Sequence, residues 1–472
     1  MCIRTDTLII IPRAPITRRT KRKKKGNRFS SLFDLILFPI CIILFTFFKK
    51  KKMNGYDFFA GVPQATPDSL LSIAEKAQKA QGKKANLIVG AYRDECGLPY
   101  PLPVVQKAEE RVVAAKLDHE YLPSTGHPGF VEAALKMLYG DTYNADKMAG
   151  VQSLSGTGAL TIGALYLHQT LSLRLRANGG ALEALPAVYV SDPTWPNHFN
   201  IFQAAGFARV ETYRYYDATR ISFDLEGMVA DVRGAPEGSI FVLHQCAHNP
   251  TGVDPTEEEW GVLADTFAEK RHIIFFDSAY QGYASGNLDR DAFAVRLFVR
   301  RGFPFLCAQS FAKNLGLYGE RIGLLSAVLG SPDQRDPFKS QCVTIIRAQY
   351  SNPPTFGARL VHTILTDPEL RAQWQQELDH MSGRIKKMRA LVRKHLEETY
   401  KTPGTWSHIT KQIGMFSFLG LSKEECAYCQ EHNVFITLTG RANMAGLTEE
   451  TAELLAKTID GAVRKYRAAD KL

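Results

Sequence analysis

The loop Ser310-Phe311-Ala312-Lys313-Asn314-Leu315-Gly316-Leu317-Tyr318-Gly319-Glu320-Arg321 sets one lysine between two apolar runs, Phe303 to Ala308 and Ile322 to Leu329, which read as buried strands. A lysine in a partly desolvated pocket beside fixed positive charge loses basicity, and its free amine can form a Schiff base with a carbonyl. The Ser310 hydroxyl and the Arg321 guanidinium suit an anion such as a phosphate. The plain alternative is a solvated loop that happens to carry a lysine. Taken alone, the loop favours that alternative.

Such a lysine needs strands whose ends converge on it. Ala85 to Val89, Ala187 to Val190, Ile240 to Leu243 and His272 to Phe276 read as short apolar strands. Leu70 to Ala80, capped from Asp68, Val104 to Asp118, Ser155 through Leu173, Pro255 to Lys270 and Asp367 to Arg393 read as helices. This alternation predicts an α/β fold, a mostly parallel sheet sandwiched by helices. Ligands in such sheets bind outside the carboxyl ends of the strands, so polar residues there are candidates for one site. Trp406 to Leu419 and Val434 to Leu438 as strands, with helices at Lys423 to His432 and Glu449 to Arg467, predict a smaller α+β domain at the C-terminus. Asn54 to Pro67 reads as an extended arm whose Phe58 and Phe59 need a surface to cover.

Ser155, Gly156 and Thr157 offer backbone N–H groups and two hydroxyls at a helix N-terminus, which suits a phosphate; ordinary helix capping is the plainer reading. Trp195, between prolines, could lie over an aromatic ring or simply be core. Asn249 could bind a ligand oxygen or only organise the turn before Pro250. Asp277 follows four apolar residues directly, so its carboxylate needs a partner. A protonated pyridine nitrogen would serve, and so would a structural arginine. Tyr280 is spaced to donate its phenol to an oxyanion. His244 and His248 have metal-like spacing but are expected to face different ways, and no metal site is predicted.

Taken together, Asp277-Ser278-Ala279-Tyr280-Gln281-Gly282, Ser310 to Asn314, Cys246 to Gly252 and Ser191 to His198 resemble the aspartate aminotransferase family, class I enzymes of fold type I that use pyridoxal 5′-phosphate (PLP). The resemblance runs from about Tyr56 to the C-terminus. It implies that Lys313 attaches the cofactor and shuttles a proton, and that Asp277, supported by His198, keeps the pyridine nitrogen protonated. Tyr280 and Asn249 would share the cofactor's 3′-oxygen, and Trp195 would stack on its ring. Ser155, Gly156, Thr157, Ser310 and Arg321 would bind the phosphate, joined by Tyr121 from a second subunit. Arg441 would grip the substrate's α-carboxylate, with room left by Gly90. Arg347 would reach across a homodimer to the distal carboxylate, so that dicarboxylic amino and keto acids are selected. Ala312, where many members carry Ser, removes one hydroxyl near the phosphate. A transaminase that also accepts aromatic amino acids is the rival enzyme reading.

The net charge of +10 is misleading about partners. Residues 1–52 hold 14 of the basic and 2 of the acidic residues, which leaves 44 basic against 46 acidic in the rest. That near-neutral body gives no support to a nucleic-acid role. The extension combines basic runs with an apolar run from Leu32 to Phe48. It is expected not to belong to the folded enzyme, with Met53 as the working start; a targeting segment and a membrane anchor are the alternatives. The last would suit a membrane-anchored, non-catalytic binding protein. Residues 53–100 are expected to form the arm and part of the small domain, 101–375 the large PLP-binding domain, and 376–472 the small C-terminal domain. Eight scattered cysteines, with one Cys426-x-x-Cys429 pair, predict reduced thiols and a cytoplasmic location, mitochondria being the alternative.

Overall fold

The computed structural model describes residues 57–65, 69–181 and 184–467. The extension over residues 1–52 and the expected cap at Asp68 lie outside them. Residues 57–65 belong to a separate short unit, a turn in which Asp57 accepts from the Phe59 N–H and both Phe58 and Phe59 are exposed.

The second unit begins with α1 (Ser69–Lys79), β1 (Ala85–Asn86), α2 (Pro103–Ala114), α3 (Pro128–Tyr139), β2 (Met148–Leu154) and α4 (Ser155–Ala177). It continues through β3 (Val188–Asp192), α5 (Asn197–Ala204), β4 (Val210–Arg214), β5 (Tyr216–Asp217), β6 (Ser222–Phe223), α6 (Leu225–Gly234), β7 (Ile240–His244) and α7 (Glu257–Glu269). Next come β8 (Ile273–Ser278), α8 (Leu288–Asp291), α9 (Phe293–Arg300), β9 (Phe305–Ser310), β10 (Ile322–Val328), α10 (Arg335–Gln349) and α11 (Phe356–Thr366). The chain closes with α12 (Pro368–Lys394), α13 (His408–Lys411), β11 (Phe416–Phe418), α14 (Lys423–Glu431), β12 (Val434–Phe435), β13 (Arg441–Asn443) and α15 (Glu449–Arg467).

Seven strands form the main sheet in the order β2-β10-β9-β8-β7-β3-β4. All neighbours are parallel except β10, which is antiparallel to both β2 and β9. Two antiparallel steps restore direction, so β2 points the same way as β9. The carboxyl ends of β2, β3, β7, β8 and β9 therefore meet the amino end of β10 along one edge. That edge is where Ser155, Asp277, Lys313 and Arg321 can come together.

β7, β9 and β10 are buried along their whole length, as strands covered on both faces should be. Their period of two feeds two cores. Phe241, Leu243, Ile274 and Phe276 enter one, while Ile240, Val242 and Phe275 enter the other. Helix boundaries follow local chemistry: Thr256 and Glu259 form a capping box on α7, and Asp367 caps α12 with Pro368 in its first turn.

The α/β expectation holds, with differences in detail. β2 and β4 were not legible: β2 contains Gly150 and Gln152, and β4 is a partly exposed edge strand. Pairing in Ala85 to Val89 extends only over Ala85–Asn86. Of Trp406 to Leu419, expected as one strand, only Phe416–Phe418 pairs, and α13 intervenes. There the carbonyls of Ile409, Gly414 and Phe416 turn to the Arg389 guanidinium instead of a ladder. No helix among the described residues is long and apolar enough to cross a membrane.

Candidate active site

Lys313 sits in the turn after β9, with its Nζ 5.1 Å from the centre of the Tyr280 ring. Burial pushes its amine below the ordinary lysine value; the Asp277 charge opposes this and the Arg321 charge adds to it. Burial likewise pushes the Tyr280 phenol up, reinforced by the Asp277 charge and opposed by Arg441. An amine in this setting is a better nucleophile and proton carrier than a solvated one.

Asp277 lies within β8, one residue before its end. Burial alone would raise its carboxyl. The hydrogen bond from His198 (Nε2 to Oδ2, 3.2 Å) and the charge interaction with it, with a smaller contribution from Lys313, outweigh burial and hold it below the ordinary value. His198 is oriented from its other side by Thr194 Oγ1, 2.7 Å from Nδ1. The result is a buried carboxylate kept charged, ready for a cationic N–H.

At the start of α4 no side chain caps the helix, so the N–H groups that follow Ser155 are open to an anion. Ser155 takes a left-handed φ of 63° and donates its N–H to the Arg321 carbonyl at 2.9 Å. That geometry brings Ser155 Oγ within 3.1 Å of Ser310 Oγ. A Cβ on Gly156 would lie 3.0 Å from Ser310 Cβ, so any side chain there would fill the cradle.

Arg441, on β13, is buried without a carboxylate partner among the described residues. Its Nη1 donates to Asn249 Oδ1 at 3.3 Å and its Nη2 to the Ile88 carbonyl at 3.0 Å, while Nε has no partner. The guanidinium lies 4.3 Å over the Phe416 ring. A Cβ on Gly90 would meet Phe416 Cζ at 2.9 Å, which is why this wall needs glycine.

These groups line one cavity of about 310 Å³. Larger openings of about 1250 and 520 Å³ lie elsewhere and hold none of these residues. Gly90, Ser155, Gly156, Thr157, Trp195, Asn249, Asp277, Tyr280, Ser310, Lys313, Arg321 and Arg441 all reach the cavity. His198 stands behind Asp277, edge-on to Trp195. Tyr121 and Arg347 do not line it: Tyr121 is 87% exposed, and Arg347 donates to Ser351 Oγ at 2.6 Å. A carboxylate, a depressed amine, an indole wall and an open helix end with hydroxyls and arginine together fit a planar heteroaromatic phosphate ester.

Two contacts escaped sequence reasoning. Phe416 lay within a stretch expected to be one long strand, with nothing local to pair it with Arg441. His244 and His248 were expected to face apart, yet their rings are 4.3 Å between centroids. The left-handed Ala247 (φ 51°) folds the chain back just past β7. His248 is a structural residue, bonded to Ser191 and Thr251. His244 lines the cavity, and both of its ring nitrogens are unpartnered. Ligand atoms of His198, His244 and Asp277 lie within 4.8 Å of one another, a spacing a cation could use. His198, however, is already engaged at both nitrogens.

The family described as aminotransferase class I and II matches residues 82–459. The cytoplasmic aspartate aminotransferase of Gallus gallus is 47% identical over 87% of this chain and 99% of its own length. The mitochondrial aspartate aminotransferase of Schizosaccharomyces pombe is 44% identical over 86% of this chain and 91% of its own. Among solved structures, a broad specificity aminotransferase from Leishmania mexicana is 52% identical with a TM-score of 0.82, covering 86% of this chain and 97% of that one. An aromatic-amino-acid aminotransferase from Burkholderia pseudomallei, covalently bound to pyridoxal phosphate, is 36% identical with a TM-score of 0.80 over 86% and 99%.

Proposed function

Because the chain belongs to the class I and II aminotransferase family, we propose that it is a PLP-dependent aspartate aminotransferase, interconverting L-aspartate plus 2-oxoglutarate and oxaloacetate plus L-glutamate. The observation that carries this reading is one cavity holding a buried, depressed lysine amine, a buried charged aspartate and a buried arginine without a counter-charge. When bound, PLP supplies an electron-withdrawing ring that makes the α-proton of an amino acid removable.

In this proposal Ser155, Thr157 and Ser310 donate their hydroxyls to the phosphate, the open N–H groups of α4 point at it, and Arg321 balances its charge. Asp277, kept anionic by His198, accepts from the ring nitrogen. Trp195 covers the ring, and Tyr280 and Asn249 bind the ring oxygen. Lys313 moves the proton from Cα, and burial lowers the basicity of its amine for that role. Arg441 holds the α-carboxylate in a two-pronged grip, and burial excludes water from that pair.

Tyr121 and Arg347 complete the site from a second copy of the chain, Arg347 on the distal carboxylate; a homodimer is therefore part of the proposal. So is a division in which residues 101–375 carry the cofactor groups while 53–100 and 376–472 form the small domain with Gly90 and Arg441. A cytoplasmic location is proposed. The relatives keep mitochondria in play, and subcellular fractionation distinguishes them.

The broad specificity of the Leishmania mexicana protein favours one second reading, an enzyme that also takes aromatic donors. The test is a panel of aspartate, tyrosine and phenylalanine as donors to 2-oxoglutarate, with the cofactor's absorption band followed in wild type and Lys313→Ala. Aspartate turnover with a band lost in the variant is expected. A freshly purified wild type that takes up no PLP, or that ignores aspartate, would falsify the proposal.

A further inference from the structure

Tyr121 and Arg347 stand outside the active-site cavity of their own chain, far apart in sequence. The segments that carry them are nevertheless bonded to each other. Asn352 Nδ2 donates to the Leu122 carbonyl at 2.7 Å, and Ser124 Oγ donates to the Ser351 carbonyl at 2.9 Å. Ser351 turns out of α10 with a left-handed φ of 68°, and its Oγ accepts from Arg347 Nη1 at 2.6 Å.

Gln152, within β2, joins the same two segments from the protein interior. It is fully buried, which an amide side chain rarely is. Its Oε1 accepts from the His127 N–H at 2.9 Å, and its Nε2 donates to the Pro354 carbonyl at 2.7 Å. A main-chain N–H only donates and a carbonyl only accepts, so each end of the amide is committed to one segment. The main chain of Gln152 repeats the pattern: its N–H donates to the Thr125 carbonyl at 2.9 Å, and its carbonyl accepts from the Tyr350 hydroxyl at 3.4 Å. Gly126, at φ 97°, lies so close over the side chain that a Cβ there would overlap it. An apolar residue of similar volume would fill the space but leave the His127 N–H and the Pro354 carbonyl unpaired.

We infer that Gln152 is a positioning residue that acts across the dimer. It fixes Tyr121 and Arg347 as one body, so that the phosphate ligand and the distal-carboxylate ligand reach the other subunit's site at a set separation. The inference rests on the homodimeric aminotransferase proposed above, in which both groups serve a second copy. It makes an unexpected demand on direction. β2 runs straight into Ser155 of its own cavity, so a residue that only supported the local fold would act on its own subunit's site. Gln152 should act on the other.

Gln152→Met keeps the side-chain length and removes both amide bonds, and hybrid dimers purified through two affinity tags read the direction of its effect. In the first hybrid one subunit carries Lys313→Ala with Gln152→Met and the other carries neither, so the working lysine receives Tyr121 and Arg347 from the Gln152→Met chain. In the second, Lys313→Ala and Gln152→Met are on opposite subunits, and the working site receives both groups from a chain with Gln152 intact. Against a hybrid carrying Lys313→Ala alone, the first should show about a tenfold higher KM for aspartate and need about tenfold more PLP to restore the cofactor band. The second should match that reference. Equal effects in the two hybrids, or a larger effect in the second, overturn the inference. A reference hybrid that turns over no aspartate would instead defeat the homodimeric aminotransferase reading, and this inference with it. Hydrogen exchange on the PLP-loaded Gln152→Met protein provides a readout without turnover: amides in 119–127 and in 350–355 should both exchange at least about tenfold faster, and loosening of one segment alone refutes the joint. Should that variant fail to assemble, Gln152→Glu, which keeps the acceptor for His127 but opposes the Pro354 carbonyl, enters the same two hybrids with the same expected asymmetry.

Discussion

Replacing Gly90 by alanine should damage substrate binding without touching a group that contacts substrate through its side chain. The new Cβ would stand 2.9 Å from Phe416 Cζ. Carbon atoms settle at about 3.5–4.0 Å, so the ring must retreat by roughly 0.6–1.1 Å. It cannot do so independently. Phe416 is paired with Asn443 through β11 and β13, and the Arg441 guanidinium rests 4.3 Å over its ring. The displacement therefore passes to Arg441, which is otherwise held only by Asn249 and the Ile88 carbonyl. A hydrogen bond to a charged group contributes about 1.5–3 kcal/mol, so misplacing one prong should lower kcat/KM for aspartate roughly tenfold to a hundredfold. Overpacking should also cost about 1–3 kcal/mol of stability. Steady-state kinetics on Gly90→Ala would place the loss mainly in KM for aspartate, with the cofactor band intact. If KM is unchanged in folded, PLP-loaded variant, the mechanical link from Gly90 through Phe416 to Arg441 is wrong.

Arg441→Lys keeps the charge but loses the planar fork, and kcat/KM for aspartate should fall at least about a hundredfold; near-parental kinetics would contradict the two-pronged grip. Arg347→Ala should weaken aspartate far more than phenylalanine as donor, and an equal effect on both would remove Arg347 from the distal-carboxylate role. Burial holds the His244 imidazole at about 3, below its ordinary 6.5. The unfolded chain then binds the extra proton between those values, so the contribution is complete above pH 6.5 and is lost as pH falls, by up to about 1.4 kcal/mol per pH unit. Denaturant titrations of the cofactor-free protein between pH 6.5 and 5 should show a shallower slope for His244→Gln, and an unchanged slope would exclude His244 as the titrating group.

Much of the site was legible because its signals are local. Lys313 lies between two apolar runs, Asp277 follows one directly, and Ser155 to Thr157 open a helix. Strand-end positions in an α/β chain can be found from periodicity, and the edge-forming rule then gathers them. The rest depended on partners distant in sequence. The antiparallel course of β10 brings Arg321 to the same edge as Ser155, a matter of strand direction that composition does not encode. Arg441 meets Phe416 through the register of two three-residue strands too short to stand out from loop. His244 and His248 touch because of one left-handed residue, Ala247, whose side chain carries no hint of that conformation. Residue type and spacing identify groups able to do chemistry. Direction, register and packing select which of them share a cavity, because those contacts are paid for by burying the whole sheet.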